Sequence, residues 1–125
     1  TIWERWNSYV KATGFGPVGM NSFNHYAYGA VLAWMYGTMA GIQEDIACPG
    51  YKHILLAPIP DQRVGKVKAC FNSMYGKIHS SWFYAEDGTW TWTFTIPANT
   101  TATVTVPGEQ PKDYVSGTYT VTKKF

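Results

Sequence analysis

Thr89-Trp90-Thr91-Trp92-Thr93-Phe94-Thr95-Ile96 is an almost pure alternation of threonine against ring or aliphatic side chains. Successive side chains of a strand point to opposite faces, so Trp90, Trp92, Phe94 and Ile96 share one face and the threonines share the other. Four large apolar groups facing one way make the inner surface of a sheet, and threonine is a good strand former for the outer one. Working outward, the Glu86-Asp87-Gly88 turn signal joins this strand to residues 77–84, where Ile78, Ser80, Trp82 and Tyr84 recur at period two. Residues 66–72 alternate through Val67, Ala69 and Phe71, and residues 51–57 read as a buried strand. Downstream, Pro97-Ala98-Asn99 breaks the pattern, Ala102, Val104 and Val106 resume it, and Tyr119, Val121 and Phe125 predict a last strand after Gly117. Six or so short strands between turn signals predict an antiparallel β-sandwich over residues 49–125.

Before the Pro49-Gly50 turn the period is different. Residues 24–41 contain neither proline nor a charged side chain. Ser22 or Asn24 can cap the start of a helix there, and Gly41 can stop it. One face carries His25, Tyr28, Leu32, Met35 and Met39, and the opposite side carries Tyr26, Ala30, Ala33, Trp34 and Gly37. A helix apolar all round is buried all round. This chain offers almost no other helix to bury it, so its neighbours are expected elsewhere. Residues 2–13 read as partly helical, ended by the Gly14-Phe15-Gly16-Pro17 breaker. The pattern therefore predicts an α+β chain: a short all-α segment over residues 1–48, then the sandwich.

Composition narrows the function. Charged residues make up 14% of the 125 and aromatic residues 17%, against a usual charged share of roughly a quarter. That balance excludes disorder, and it is more apolar surface than a lone domain of this size hides comfortably. A piece of something larger is expected, and the absence of an initiator Met at Thr1 fits that reading. The net charge of +2 has only Lys66/Lys68 and Lys123-Lys124 as local basic features, which is no footprint for nucleic acid. No apolar run reaches the roughly 18 residues of a membrane-spanning helix. Cys48 and Cys70 read as two free thiols, and neither they nor His25, His53 and His79 have a second ligand at metal-site spacing. No metal and no cofactor are expected.

Of the eight acidic residues, seven fall in turn or loop signals and read as solvated surface. Glu4 differs, sitting in Ile2-Trp3-Glu4-Arg5-Trp6 with apolar neighbours on both flanks. Such a carboxylate is either a salt-bridged structural group or one whose surroundings are built around its ionisation. His25 opens an otherwise aromatic turn and is either a satisfied core residue or a hydrogen-bond donor to a substrate; if both face one cleft, Glu4 could act as a base toward water. Trp82, Trp90 and Trp92 raise a second reading, a non-catalytic carbohydrate-binding or accessory β-module, although their shared face favours core packing. Asn99-Thr100-Thr101 matches a glycosylation sequon and reads as a loop. Phosphate loops, serine elbows and paired nucleophile and base are absent from the sequence pattern.

Three words in order, Thr1-Ile2-Trp3-Glu4-Arg5-Trp6, Gly19-Met20-Asn21-Ser22-Phe23-Asn24-His25-Tyr26-Ala27-Tyr28-Gly29-Ala30-Val31 and Pro49-Gly50-Tyr51-Lys52, resemble the end of the catalytic domain of bacterial α-L-rhamnosidases. Tyr75-Gly76-Lys77-Ile78 and the stretch from Ile96 to Val104 resemble that family's C-terminal β-sandwich. The resemblance implies that residues 1–48 are the last helices of an (α/α)6 barrel and that residues 49–125 form a Greek-key sandwich. It implies a parent enzyme that removes terminal α-L-rhamnosyl residues with inversion, using one carboxylic acid and one carboxylate on opposite faces of the sugar. On this match Glu4 is the general base, His25 lines the rhamnose subsite, and Trp3 and Trp6 shape its apolar wall. The family's general acid belongs to earlier parts of the barrel, so the 125-residue piece alone is expected to be inactive. Implied partners are rhamnose-containing glycosides or polysaccharides and the remainder of the barrel. One departure is Asn7, where many members carry Asp.

Overall fold

Two short strands, β1 (Tyr9–Val10) and β2 (Gly14–Phe15), pair antiparallel near the start of the chain, with Tyr9 opposite Phe15 and Val10 opposite Gly14. The computed structural model describes residues 2–125, with the side chain of Tyr28 left out; Thr1 of the first word and the Tyr28 position of the helix face lie outside the described residues. Two compact units emerge, Thr1–Trp34 and Met35–Phe125.

In the first unit the expectation of a partly helical segment over residues 2–13 is corrected, and with it the expectation that this part of the chain is all-α. Thr13 N–H donates to the Val10 carbonyl at 3.1 Å, and Gly14 at φ +78° lets the chain reverse into β2. A 3₁₀ turn (Val18–Met20) follows Pro17. The expected helix is shorter than residues 24–41 and changes hydrogen-bond type along its length: 3₁₀ over Tyr26–Ala30, α over Val31–Trp34. Ser22 Oγ accepts Asn24 N–H at 3.2 Å, closing a local turn ahead of the helix. Tyr26, Val31, Leu32 and Trp34 stay exposed, so among the described residues the all-round burial expected of this helix is not seen.

The second unit opens with a π turn (Met35–Met39) and then holds β3 (Ile42–Glu44), β4 (His53–Leu56), β5 (Lys66–Ser73), β6 (Gly76–Tyr84), β7 (Thr89–Val104) and β8 (Lys112–Lys124). Gly41, at φ +73°, ends the helical turns where the backbone passes Ala57 and Pro58 so closely that a Cβ would fall 2.1 Å from the Pro58 nitrogen. Strand order is β3-β4-β7-β6-β5, with β8 on the other edge of β7. Pairing is antiparallel throughout except for β4 and β7, which run parallel from His53/Thr101 to Leu56/Val104. That exception corrects the purely antiparallel expectation. No hairpin links these two strands in sequence, so nothing forces them antiparallel.

Pro97-Ala98-Asn99 does not end the strand. β7 passes through it with a register shift between Ile96 and Thr101, Asn99 taking φ +59°. Before the shift β7 pairs with β6, after it with β4, while β8 follows both halves. β8 also starts earlier than Gly117, which lies inside it. The bend folds the sheet into a sandwich-like unit around Ile78, Trp82, Trp90, Trp92 and Phe94 from one half and Ile54, Leu56, Ala102 and Val104 from the other. Burial of Trp82 and Trp92 is completed by polar bonds, whereas the buried Trp90 indole N–H has no hydrogen-bond partner among the described residues. Trp92 Nε1–H donates to Ser80 Oγ at 2.9 Å, the Ser80 hydroxyl donates to the Ala40 carbonyl at 2.6 Å, and Trp82 Nε1–H donates to the Met39 carbonyl at 2.7 Å. The last carbonyls of the helical turns are thereby satisfied inside the core.

Candidate functional site

The first unit brings Glu4 and His25 together by pairing two irregular segments. Glu4 N–H donates to the Ser22 carbonyl at 2.8 Å, and His25 N–H donates to the Ile2 carbonyl at 2.9 Å, so residues 2–4 lie alongside residues 22–25. The Glu4 carboxylate turns back on the same pairing, with Oε2 accepting Ser22 N–H at 2.8 Å. Its Oε1 stands 3.9 Å from His25 Nε2, close enough for charge to matter and too long for a hydrogen bond. Both side chains keep contact with solvent, Glu4 at 20% and His25 at 28% exposure. A carboxylate so placed can take a proton from a water, and the neighbouring imidazole can donate to an oxygen bound beside it.

Aromatic packing supports this arrangement from one side. Trp3 meets Phe23 edge-on at 5.0 Å between ring centres, Phe23 meets Phe15 at 5.6 Å, and Phe15 meets Tyr9 at 5.1 Å. The His25 ring lies parallel to Tyr26, 5.8 Å away. Trp6, by contrast, projects fully into solvent. The structure therefore joins Glu4, His25 and, through Phe23, Trp3 into one neighbourhood, and leaves the Trp6 ring exposed.

Two residues of this neighbourhood were not singled out by sequence as site residues. Ser22, read as a helix cap, supplies the backbone donor to Glu4, and Asn21 ties the same segment to Ser8 through an Nδ2–H donated to the Ser8 carbonyl at 2.9 Å. The signal available was the polar Asn-Ser pair in an otherwise apolar stretch.

Other candidates resolve differently. Trp82, Trp90 and Trp92 are buried and present no ring face to a sugar, in line with the core reading of their shared face. The sequon at Asn99 lies in the irregularity of β7 instead of a loop, with Thr100 buried and its hydroxyl donating to the Pro97 carbonyl at 2.7 Å. Asp61 is half-buried and twice hydrogen-bonded by the Arg63 side chain, which together with the Arg63 backbone amide holds its carboxyl down at about 2. Glu44 and Asp113, expected in turns, sit on β3 and β8. Among the described residues no group of three His, Cys, Asp or Glu side chains could hold a metal ion.

Known proteins place the chain. Residues 41–120 match the family model of the bacterial alpha-L-rhamnosidase C-terminal domain, and residues 1–39 match that of the bacterial alpha-L-rhamnosidase 6 hairpin glycosidase domain. An alpha-L-rhamnosidase of Formosa agariphila is 49% identical over 107 residues, 86% of this chain and 11% of that protein. One from Streptomyces avermitilis is 41% identical over 111 residues, 89% of this chain and 10% of that protein. Among solved structures, the Streptomyces avermitilis alpha-L-rhamnosidase complexed with L-rhamnose superposes with a TM-score of 0.83 at 34% identity, over 99% of this chain and 14% of that one. The native Aspergillus terreus enzyme gives a TM-score of 0.84 at 31% identity, over 98% of this chain and 14% of that one. The chain thus spans about a tenth of the length of the curated relatives it matches, and it belongs to the bacterial α-L-rhamnosidase family.

Proposed function

We propose that this chain is the C-terminal part of an inverting α-L-rhamnosidase, with Glu4 as its general base and His25 as a ligand of the rhamnosyl group. The observation that carries the proposal is the placement of a partly exposed carboxylate, fixed by the Ser22 amide, beside an imidazole. In the reaction Glu4 takes a proton from a water as that water attacks the anomeric carbon. A carboxylic acid contributed by earlier parts of the barrel protonates the leaving oxygen from the other face, the two groups standing roughly 6.5–9.5 Å apart. His25 donates to a sugar hydroxyl, and Trp3 and Trp6 line the apolar wall of the pocket, Trp6 gaining its cover from the rest of the barrel. Residues 1–48 close an (α/α)6 barrel and residues 49–125 brace it as a Greek-key sandwich. Substrates are terminal α-L-rhamnosides of glycosides or polysaccharides. The 125 residues alone, holding the base and lacking the acid, hydrolyse nothing.

Proton NMR of hydrolysis by the full-length protein tests this reading. An aryl α-L-rhamnoside should release β-rhamnose first, with the α anomer growing in only by mutarotation. First release of the α anomer would overturn the inverting mechanism, and absence of hydrolysis would overturn the glycosidase reading. His25→Ala should raise KM for the same substrate by more than it lowers kcat.

A further inference from the structure

We propose that Asn21 is a positioning residue for Glu4. This rests on the reading of Glu4 as the base, and it starts from how the carboxylate is held. Glu4 and Ser22 bond reciprocally: Glu4 N–H donates to the Ser22 carbonyl at 2.8 Å, and Ser22 N–H donates to Glu4 Oε2 at 2.8 Å. The direction of the carboxylate therefore follows the position of residue 22. That position is not fixed by regular structure, since Ser22 lies between the 3₁₀ turn Val18–Met20 and the helical start at Tyr26. Beyond the two backbone bonds to residues 2 and 4, the segment is held by the side-chain ties it makes.

Asn21 makes such a tie. Its Nδ2–H donates to the carbonyl of Ser8 at 2.9 Å, a residue with no exposure, and the same carbonyl accepts Gly16 N–H at 3.0 Å. Gly16 packs against this arrangement: a Cβ there would be at ordinary contact distance, 3.6 Å, from Asn21 Cγ and tighter, 3.0 Å, against the Arg5 guanidinium. Ser8 N–H in turn donates to the Arg5 carbonyl at 3.2 Å, one residue beyond Glu4. A closed circuit results, from Glu4 to Ser22, through the Asn21 side chain to Ser8, and back through Arg5 to Glu4. Opening it at Asn21 frees residue 22 to drift and takes the carboxylate's amide donor with it. A displacement of about 1 Å in a catalytic group costs on the order of 100-fold in rate.

The test uses the full-length enzyme with an aryl α-L-rhamnoside, in Asn21→Asp, Glu4→Gln and the double variant. Asn21→Asp keeps the shape and replaces the donor by an acceptor. The expected result is a fall in kcat of roughly 10- to 100-fold with KM within about threefold of wild type, an unchanged thermal midpoint, and no further loss when Asn21→Asp is added to Glu4→Gln. Asn21→Gln, which retains the amide donor, should recover part of the kcat. Normal kcat in Asn21→Asp beside a collapsed Glu4→Gln overturns the positioning role and leaves the base intact. Parallel loss of kcat, KM and thermal midpoint, or failure to fold, overturns it in favour of a structural role. Normal turnover by Glu4→Gln removes the base assignment itself, whatever Asn21 does.

Discussion

Ser80 shows how a single side chain can settle the interior of a β unit. Its hydroxyl accepts a hydrogen bond from the Trp92 indole N–H and donates one to the Ala40 carbonyl, all three residues being buried. Removing the hydroxyl leaves one donor and one acceptor without partners in a dry site, a loss of about 1–3 kcal/mol for each group stranded. Ser80→Ala should therefore lower the urea midpoint of unfolding at unchanged slope, by more than the equally conservative Ser81→Ala on the other face of β6. Glu4 and His25 depend on context in a different way. Neither residue's spacing in sequence discloses that residues 2–4 run beside residues 22–25, because the pairing is made by two backbone bonds between irregular segments. Their apolar and aromatic surroundings singled out those two residues and the resemblance to a family gave them roles; the bonds that Ser22 and Asn21 make became visible only once the backbone was in place.

At the scale of elements, legibility follows length and regularity. The strand at 89–96 was legible because its apolar set is complete and its period is two. β1, β2 and β3 were not, since strands of two or three residues show no period. The continuity of β7 was hidden by Pro97 and Asn99, turn-prone residues that here produce an irregularity within a strand. β6 carries a pH-sensitive group among these elements. His79 stands on its outer side, paired across to Cys70 of β5 and Thr95 of β7. Desolvation first, and then the positive charges of Lys68 and Lys77, push its pKa below the ordinary histidine value. With the folded pKa depressed, the neutral ring's contribution to stability is fully present above about 6.5 and is lost as pH falls through the lower folded value. Thermal midpoints at pH 7 and pH 5 should differ less in His79→Gln than in wild type; an equal difference would contradict this assignment.

For the whole molecule, the apolar excess apparent in the composition has a location. Trp6, Phe15, Val18 and Tyr26 are among the large side chains left exposed in the first unit, whereas the tryptophans of the second unit are enclosed. The second unit buries a core of its own, and the first is a surface that needs cover. This contrast agrees with a chain spanning about a tenth of its relatives, and it is why the first unit is read as the edge of a barrel completed by the rest of the protein. On the function proposed above, this edge carries the base. The most direct test of that role is kcat of full-length Glu4→Gln on an aryl α-L-rhamnoside, with circular dichroism and thermal midpoint matched to wild type. Loss of the base at preserved shape should lower kcat by about 10²–10⁴-fold; turnover within a few-fold of wild type would contradict the account.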